Sequence, residues 1–270
     1  MEFILPRGFV PPWKMPRIAV LEITGTIGAQ VRGPAMVRTI RALRKDPRIR
    51  AAVVDIDSGG GSAPVSDVIY SELRRLSEQK PTVAFVMSSA LSGGYLIASA
   101  CRKIVAVPTS LVGSIGVIMT RPVVQELMEK VGVKMVMTHR GDLKAMFQPW
   151  REPTKAEQQR VDALTDEYYD WFVDAVATAR DLDPKKVREY ATGEMFTGAK
   201  AQEMGLIDEV GDFETAVDMA CEMSRTPRRL QYVRARRSLI DRLMARGGAS
   251  MAQAILAEAD ARLQPRVDFR

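Results

Sequence analysis

The sequence contains only two cysteines, Cys101 and Cys221, and a single histidine, His139. Two distant thiols are too few for a disulfide framework, and buried thiols in a reducing compartment are the simpler interpretation. One histidine and two separated cysteines also make a poor zinc ligand set, which argues against metal catalysis. A Ser-His-Asp triad would have to use His139, and that alternative stays open at this point.

The chain also lacks a long apolar run. Its first residues, MEFILPRGFVPPWKMPR, are interrupted by prolines and charges, unlike a signal peptide. No later stretch reaches the roughly 18 apolar residues of a membrane span. We therefore expect a cytoplasmic chain, or one that touches a membrane only at its surface.

Excess positive charge is confined to one end of the sequence. Residues 225–270 contain eleven arginines and four acidic residues, whereas the rest of the chain carries 28 basic and 29 acidic residues. A body without net positive charge gives no reason to expect binding of nucleic acid. We predict an N-terminal extension at 1–16, a main domain at 17–224 and a basic helical arm at 225–270. The arm's amphipathic pattern suits contact with an acidic membrane surface or packing on a neighbouring subunit.

Short apolar runs alternate with helical patterns along the main domain. The runs that predict strands are 18–23, 52–56, 82–87, 104–107 and 134–138. Helical spacing is found around 36–43, 65–76, 96–100, 124–128, 154–180, 184–191, 198–204 and 213–224, and in the arm near 236–246 and 250–263. The strands are continuously apolar rather than alternating. This pattern predicts an α/β fold with a parallel sheet covered on both faces.

A glycine-rich turn, Asp57-Ser58-Gly59-Gly60-Gly61-Ser62, follows the second predicted strand and precedes a helix. Consecutive glycines let backbone N–H groups approach an anion or a carbonyl oxygen closely. The nucleotide-binding patterns GxGxxG and Gly-Lys-Ser/Thr are missing. An oxyanion-binding turn and a plain tight turn are the two remaining interpretations.

Two further turns contain serines. Ser92, in Ser89-Ala90-Leu91-Ser92-Gly93-Gly94-Tyr95, lies between a predicted strand and a predicted helix, where a serine can act as a nucleophile or merely cap the helix. Ser114 lies in Gly113-Ser114-Ile115-Gly116-Val117, for which a structural turn is the default interpretation.

Lys144 has an unusually apolar sequence context for a lysine. Leu143, Met146, Phe147 and Trp150 surround it and could bury its amine. Burial lowers the pKa of a lysine toward the value that a general base needs.

Taken in order, these motifs resemble the signal peptide peptidase family of serine peptidases, which shares the Clp protease/crotonase-like fold. The resemblance covers roughly residues 17–224 and depends on joint order and spacing rather than on one motif. It also includes Gly25, Ile27, Pro149, Arg151-Glu152, Thr154, Phe172-Val173, Arg180, Gly193, Phe196-Thr197-Gly198, Ala201, Gly205-Leu206-Ile207-Asp208 and Gly211.

The resemblance implies a serine endopeptidase with a Ser-Lys dyad. Ser92 would be the nucleophile, Lys144 the general base, and Ser114 the residue that orients the lysine. No metal or cofactor is implied, and the expected substrates are signal peptide remnants or other short or extended peptides, cleaved through an acyl-enzyme.

The resemblance also places the oxyanion hole, at the backbone N–H groups of Gly93 and of Gly60 or Gly61. The family usually has Asn-Ser-Pro-Gly-Gly at this loop, whereas this chain has Asp57 and Gly59 in place of the asparagine and the proline. Losing the proline leaves the loop less pre-organised.

Assembly is a further expectation from the resemblance, because single-domain members form rings or domes and some complete the dyad across a subunit boundary. We therefore expect a homo-oligomer with sites at its subunit interfaces. Two other classes stay open: a catalytically inactive scaffold or membrane-organising protein of the same fold, and a crotonase-type acyl-CoA enzyme that would use carboxylates and a CoA pocket.

Overall fold

The computed structural model describes residues 15–235 of the chain. The chain divides into two compact units, Met1–Val233 and Arg234–Arg270, and nearly all of the described residues belong to the first. The predicted helices near 236–246 and 250–263 lie outside the described residues.

Strands and helices alternate along the first unit. The strands are β1 (Arg17–Thr24), β2 (Ile49–Ser58), β3 (Thr82–Leu91), β4 (Lys103–Ala106), β5 (Leu111–Gly113), β6 (Met195–Thr197), β7 (Glu209–Val210) and β8 (Leu230–Val233). The helices are α1 (Gly33–Lys45), α2 (Ala63–Gln79), α3 (Gly93–Ser99), α4 (Gln125–Lys130), α5 (Lys155–Arg180), α6 (Pro184–Tyr190), α7 (Gly198–Glu203) and α8 (Phe213–Ser224).

One sheet joins the strands in the order β6-β5-β3-β2-β1-β8, and β4 pairs with both β3 and β7. Every pair is parallel except β5 with β6. Parallel neighbours require crossover connections, which α1 and α2 supply between β1, β2 and β3. The carboxyl ends of these three strands therefore lie at one edge of the sheet. The sheet also takes in β8, whose residues belong to the predicted arm.

Both faces of the central strands are buried, which confirms the predicted parallel α/β sheet. On one face, Val20, Val53 and Val83 pack in a cluster with Val217 of α8. The alternate strand residues, such as Leu21, are also fully buried. Full burial of each large aliphatic side chain contributes about 1.5–3 kcal/mol, so the central strands contribute strongly to the stability of the core.

The predicted strand at 134–138 is wrong. The structure has no regular element there, and all five residues are exposed. The neighbouring helix α4 has only six residues and buries none of them. An apolar run becomes a strand only where another strand satisfies its backbone groups, and none of the described strands lies next to this one.

The long helix α5 begins as predicted. Thr154 accepts a hydrogen bond from Glu157 N–H at 3.2 Å, and the Glu157 carboxylate accepts one from Thr154 N–H at 2.8 Å. This reciprocal pair is the predicted capping box. Within residues 15–235, no helix is both long and apolar enough to span a membrane.

Candidate active site

Ser92 lies at a sharp turn between β3 and α3. Its backbone dihedrals are φ 50° and ψ −122°, a combination that residues with a side chain rarely adopt. Ser92 N–H donates to the Gly113 carbonyl at 2.8 Å, and Leu96 N–H donates to the Ser92 carbonyl at 3.0 Å. The Ser92 hydroxyl does not cap α3. The helix-cap interpretation therefore fails, and a strained strand-to-helix turn is where many hydrolases hold a nucleophilic serine.

Gly93 and Gly94 let this turn pack against the end of β2 and the start of α2. A Cβ atom at Gly94 would lie 2.7 Å from the Ser58 carbonyl oxygen, and one at Gly93 would lie 2.2 Å from Ser66 Oγ. Neither position accepts a side chain unless its neighbours shift. The Gly-Gly pair is thus required by close packing.

The glycine loop after β2 approaches Ser92 closely. Gly60 adopts φ 96°, and a Cβ atom there would lie 2.8 Å from Ser92 Cβ. Gly60 N–H donates to Ser58 Oγ at 3.1 Å, whereas Gly61 N–H has no hydrogen-bond partner among the described residues. Gly61 also lines the cavity beside Ser92, and Gly60 does not. Of the two glycines, Gly61 has the N–H group that is available to a ligand.

A cavity of about 660 Å³ opens beside Ser92. Its walls come from the two glycine turns, from the chain at 114–119 and from one face of α5. The α5 face is aromatic and consists of Tyr168, Tyr169, Trp171 and Phe172. A cavity of this size and apolar character suits several side chains of a bound peptide.

Ser114 lines the same cavity as Ser92. It also has a positive φ, 51°, and its N–H donates to the Glu194 carbonyl at 2.7 Å, which fixes the turn. The structure thus places Ser114 and Ser92 on the wall of one cavity. Its predicted task of orienting Lys144 stays a prediction.

Lys144 does not line the Ser92 cavity. It is exposed, and the expected burial by its sequence neighbours is wrong. Leu143 and Phe147 are themselves 39% and 53% exposed. Local apolar context cannot bury an amine when the segment lies on the surface, and none of the residues in 15–235 covers Lys144.

The Lys144 segment is nevertheless anchored to the body. Arg151 donates to the Ala145 carbonyl at 3.0 Å and to the Glu157 carboxylate at 2.8 Å, and Arg121 donates to the Met146 carbonyl at 2.7 Å. The hydrogen bonds from Arg151 and from Thr154 lower the pKa of the Glu157 carboxyl to about 2. The carboxylate is therefore charged at neutral pH and pairs with Arg151. Arg151 in turn donates to the carbonyl of Ala145, the residue that follows Lys144 in the sequence.

The same segment exposes many large apolar side chains. Ile118 and Val136 are 91% and 93% exposed. Others are Met119, Val123, Leu127, Val131, Val133, Met135, Met137, Leu143 and Phe147. A contiguous stretch of this kind is characteristic of an interaction surface. We call residues 117–147 the apolar segment.

The other candidate side chains do not join the site. His139 is exposed, lies outside the Ser92 cavity, and has its Nδ1 3.1 Å from the Gly141 carbonyl oxygen. Burial raises the pKa of the Cys101 thiol to about 12 and also raises that of Cys221. Among residues 15–235, no three His, Cys, Asp or Glu side chains are grouped as a metal site would need.

Sequence reasoning missed part of the site. The aromatic face of α5 was recognised as a helix but not as a cavity wall, although four aromatics within 168–172 were a visible signal. Ser66, which is fully buried and lines the cavity, carried no signal beyond its place in a helix.

Comparison with known proteins adds independent findings. The sequence profile of peptidase family S49 matches residues 74–225. The protein slr0021 of Synechocystis sp., whose name gives it as a candidate protease, is 37% identical over 208 residues, or 77% of this chain and 74% of that protein. The chloroplastic serine protease SPPA of Arabidopsis thaliana is 33% identical over 223 residues, or 78% of this chain.

The relatives differ in length from this chain. The match covers 33% of the Arabidopsis protein and 52% of a candidate signal peptide peptidase SppA of Enterococcus faecium, which is 32% identical over 66% of this chain. Among solved structures, a mutant of the 1510-N membrane-bound stomatin-specific protease matches with a TM-score of 0.54 and 16% identity. That match covers 81% of this chain and 98% of the other, and it shows a shared fold.

Proposed function

Because this chain belongs to peptidase family S49 and is a serine peptidase, we propose that it cleaves peptides with Ser92 as nucleophile and Lys144 as general base. The observation that supports the proposal is the strained turn of Ser92, which lines a cavity together with Gly61, whose N–H group has no partner among the described residues. Catalysis by such a site requires a base, and the apolar segment supplies the lysine that the resemblance assigns to this role.

In the proposed mechanism, neutral Lys144 accepts the proton of Ser92 Oγ as that oxygen attacks the peptide carbonyl. The resulting oxyanion accepts hydrogen bonds from Gly61 and Gly93 N–H, each worth about 3–4 kcal/mol when well placed. The protonated lysine then donates its proton to the leaving amine. Water hydrolyses the acyl-enzyme through the same base. These steps use only side-chain and backbone groups of the protein.

We further propose that the active unit is a homo-oligomer in which Lys144 reaches the Ser92 cavity of a neighbouring subunit. Lys144 lies outside the cavity of its own chain, on a segment whose apolar side chains face solvent. Burying such side chains against a second copy is favourable. The same burial would desolvate the lysine and favour its neutral form, as a general base requires.

The substrates that we propose are short or extended peptides rich in apolar side chains, with signal peptide remnants as the leading example. The cavity beside Ser92 is lined by aromatic and aliphatic residues, and none of its lining residues is charged. Apolar peptide side chains would therefore be bound without desolvating a charge. The body has 28 basic and 29 acidic residues, so nucleic acid is not among the proposed partners.

Two measurements test this function. A fluorophosphonate should label Ser92 in assembled protein, as mapped by mass spectrometry. Mixing Ser92→Ala with Lys144→Ala subunits under exchange should restore part of the peptidase activity, because some interfaces then carry both intact residues. No labelling of assembled protein would favour the inactive scaffold, and activity in a sedimentation-verified monomer would exclude the shared site.

The basic arm is proposed to serve assembly or contact with an acidic surface. Flotation with anionic vesicles separates these roles when the full chain is compared with a truncation after Val233, which keeps β8 in the sheet. Loss of flotation on truncation supports membrane contact. Loss of the oligomer supports assembly.

A further inference from the structure

Ser58 is a buried serine at the end of β2, only 2% exposed, beneath the two glycine turns. Its hydroxyl donates to the Gly25 carbonyl at 2.7 Å and accepts from Gly60 N–H at 3.1 Å. Its carbonyl oxygen packs closely against Gly94, where a Cβ atom would lie 2.7 Å from that oxygen. The side chain of Ser58 thus contacts the chain after β1 and the glycine loop. Its backbone carbonyl lies against the Ser92 turn.

We propose that Ser58 is a positioning residue, which fixes the glycine loop so that Gly61 N–H faces the oxyanion. The inference rests on the proposed function of the Ser92 site. Ser58 does not line the Ser92 cavity, so it is not assigned a catalytic role.

The orientation of Gly61 follows from the hydrogen bonds on either side of it. Ile27 N–H donates to the Gly60 carbonyl at 2.8 Å, and Ser62 N–H donates to the Ile27 carbonyl at 2.9 Å. In a parallel bridge of this type, the N–H group of the middle residue points away from the partner chain. Gly61 N–H therefore points away from Ile27, and Gly61 lines the cavity with Ser92.

The loop needs such fixing because three successive glycines have wide conformational freedom. Gly60 and Gly61 adopt φ 96° and 145°, and Gly59 precedes them directly. Ile27 holds the far side of the loop, and Ser58 Oγ is the group that holds Gly60 N–H. This hydrogen bond to a buried side chain therefore restricts a loop whose glycines would otherwise leave it free.

The test compares Ser58→Ala and Ser58→Cys with a matched control. Cysteine keeps the shape of serine with a slightly larger volume, and it is a weak donor and acceptor. Ser77→Ala removes another buried serine hydrogen bond, 2.7 Å to Thr82 Oγ1 at the opposite end of β3. Each assembled variant is measured for kcat, KM, melting temperature and inhibition by a peptide boronate, whose tetrahedral adduct on serine places an oxygen in the oxyanion hole.

Both Ser58 variants should lose about tenfold to a hundredfold in kcat with little change in KM, since a full oxyanion donor is worth about 10²–10³ in kcat. Boronate affinity should fall in parallel with kcat/KM. Ser77→Ala should lower the melting temperature without either effect. If Ser58→Ala fails to fold, the kcat and boronate affinity of Ser58→Cys decide whether the inference holds.

Unchanged kcat in a folded Ser58 variant would overturn the inference, as would a loss shared equally by Ser77→Ala. A loss expressed only in KM would also overturn it. If the wild-type protein neither cleaves peptides nor reacts with the fluorophosphonate, the proposed function fails instead, so the two failures are distinguishable.

Discussion

The half of the molecule that holds Ser92 and the apolar segment that holds Lys144 are built in opposite ways. Around Ser92, the strands are buried, Gly60, Gly93 and Gly94 are buried with them, and backbone hydrogen bonds fix both loops. Around Lys144, the one helix buries nothing, and valines and methionines face solvent. The surroundings of Ser92 are thus packed by the described residues themselves. The apolar segment has the composition of an interaction surface.

The largest expected effect separates Lys144 from His139, since both lie in exposed parts of this region. Lys144→Ala should reduce kcat/KM by about 10²–10⁴-fold, the usual contribution of a general base. His139→Ala should keep most of the activity.

These kinetics are measured on assembled protein, with assembly checked by sedimentation. If the histidine variant is the inactive one, the dyad assignment is wrong and a triad is correct.

A charged side chain introduced into the apolar segment tests whether this segment forms an interface between subunits. Val136→Glu puts a carboxylate on a side chain that is 93% exposed in the single chain, so monomer folding should be unaffected. In the assembly the charge would be buried unpaired, which is costly. We expect smaller particles in analytical ultracentrifugation and at least a tenfold loss of activity.

The matched control for this variant is Val68→Glu on α2, where the valine is 47% exposed. It should keep both particle size and activity. Intact, active particles of Val136→Glu would show that this part of the segment lies outside the interface.

A substitution of Asp208 tests the stability of the main domain and leaves the residues of the Ser92 cavity unchanged. Burial alone would raise the pKa of its carboxyl, but Arg180 and Lys103, each 2.9 Å away, and Ile104 N–H outweigh that effect and lower it. The carboxylate therefore stabilises the fold above its ordinary pKa of 3.8, and this contribution is lost as pH falls through the lower folded pKa.

Asp208→Asn should cost about 2–3 kcal/mol in the free energy of unfolding at pH 7, less than a fully buried pair because Lys103 is exposed. Urea unfolding should show this difference shrinking below about pH 4. Activity of the folded variant should change less than twofold. A difference that persists unchanged at low pH would contradict the role of the charge.

The smallest expected effect concerns Gly59. A Cβ atom there would meet no atom within 4 Å, so Gly59→Pro should be accommodated and should stabilise the fold by about 0.4–1 kcal/mol. If Ser58 already fixes the loop, kcat should change less than twofold. In a Ser58→Ala background the same change should recover part of the lost kcat. A large gain in the wild-type background would show that the loop is not pre-organised.

The sequence was informative where structure depends on neighbours along the chain. Turns next to strands, such as those at Ser92 and Gly60, are specified by a few consecutive residues, and the capping box of Thr154 is read over four. The run at 134–138 misled because apolar side chains on an exposed segment look the same in the sequence as those that cover a sheet. The hydrogen bond from Ser58 to the Gly25 carbonyl joins residues 33 positions apart, and no local sequence pattern indicates it.

The position of Lys144 outside the cavity of its own chain has a consequence for control. On the proposed arrangement, a newly synthesised chain holds a nucleophile without a base and is latent, in the manner of a zymogen that needs no cleavage to become active. Its output should then grow more steeply than in proportion to its concentration, and dilution should silence it reversibly. Cellular proteins would be protected from premature digestion by the requirement that two copies meet.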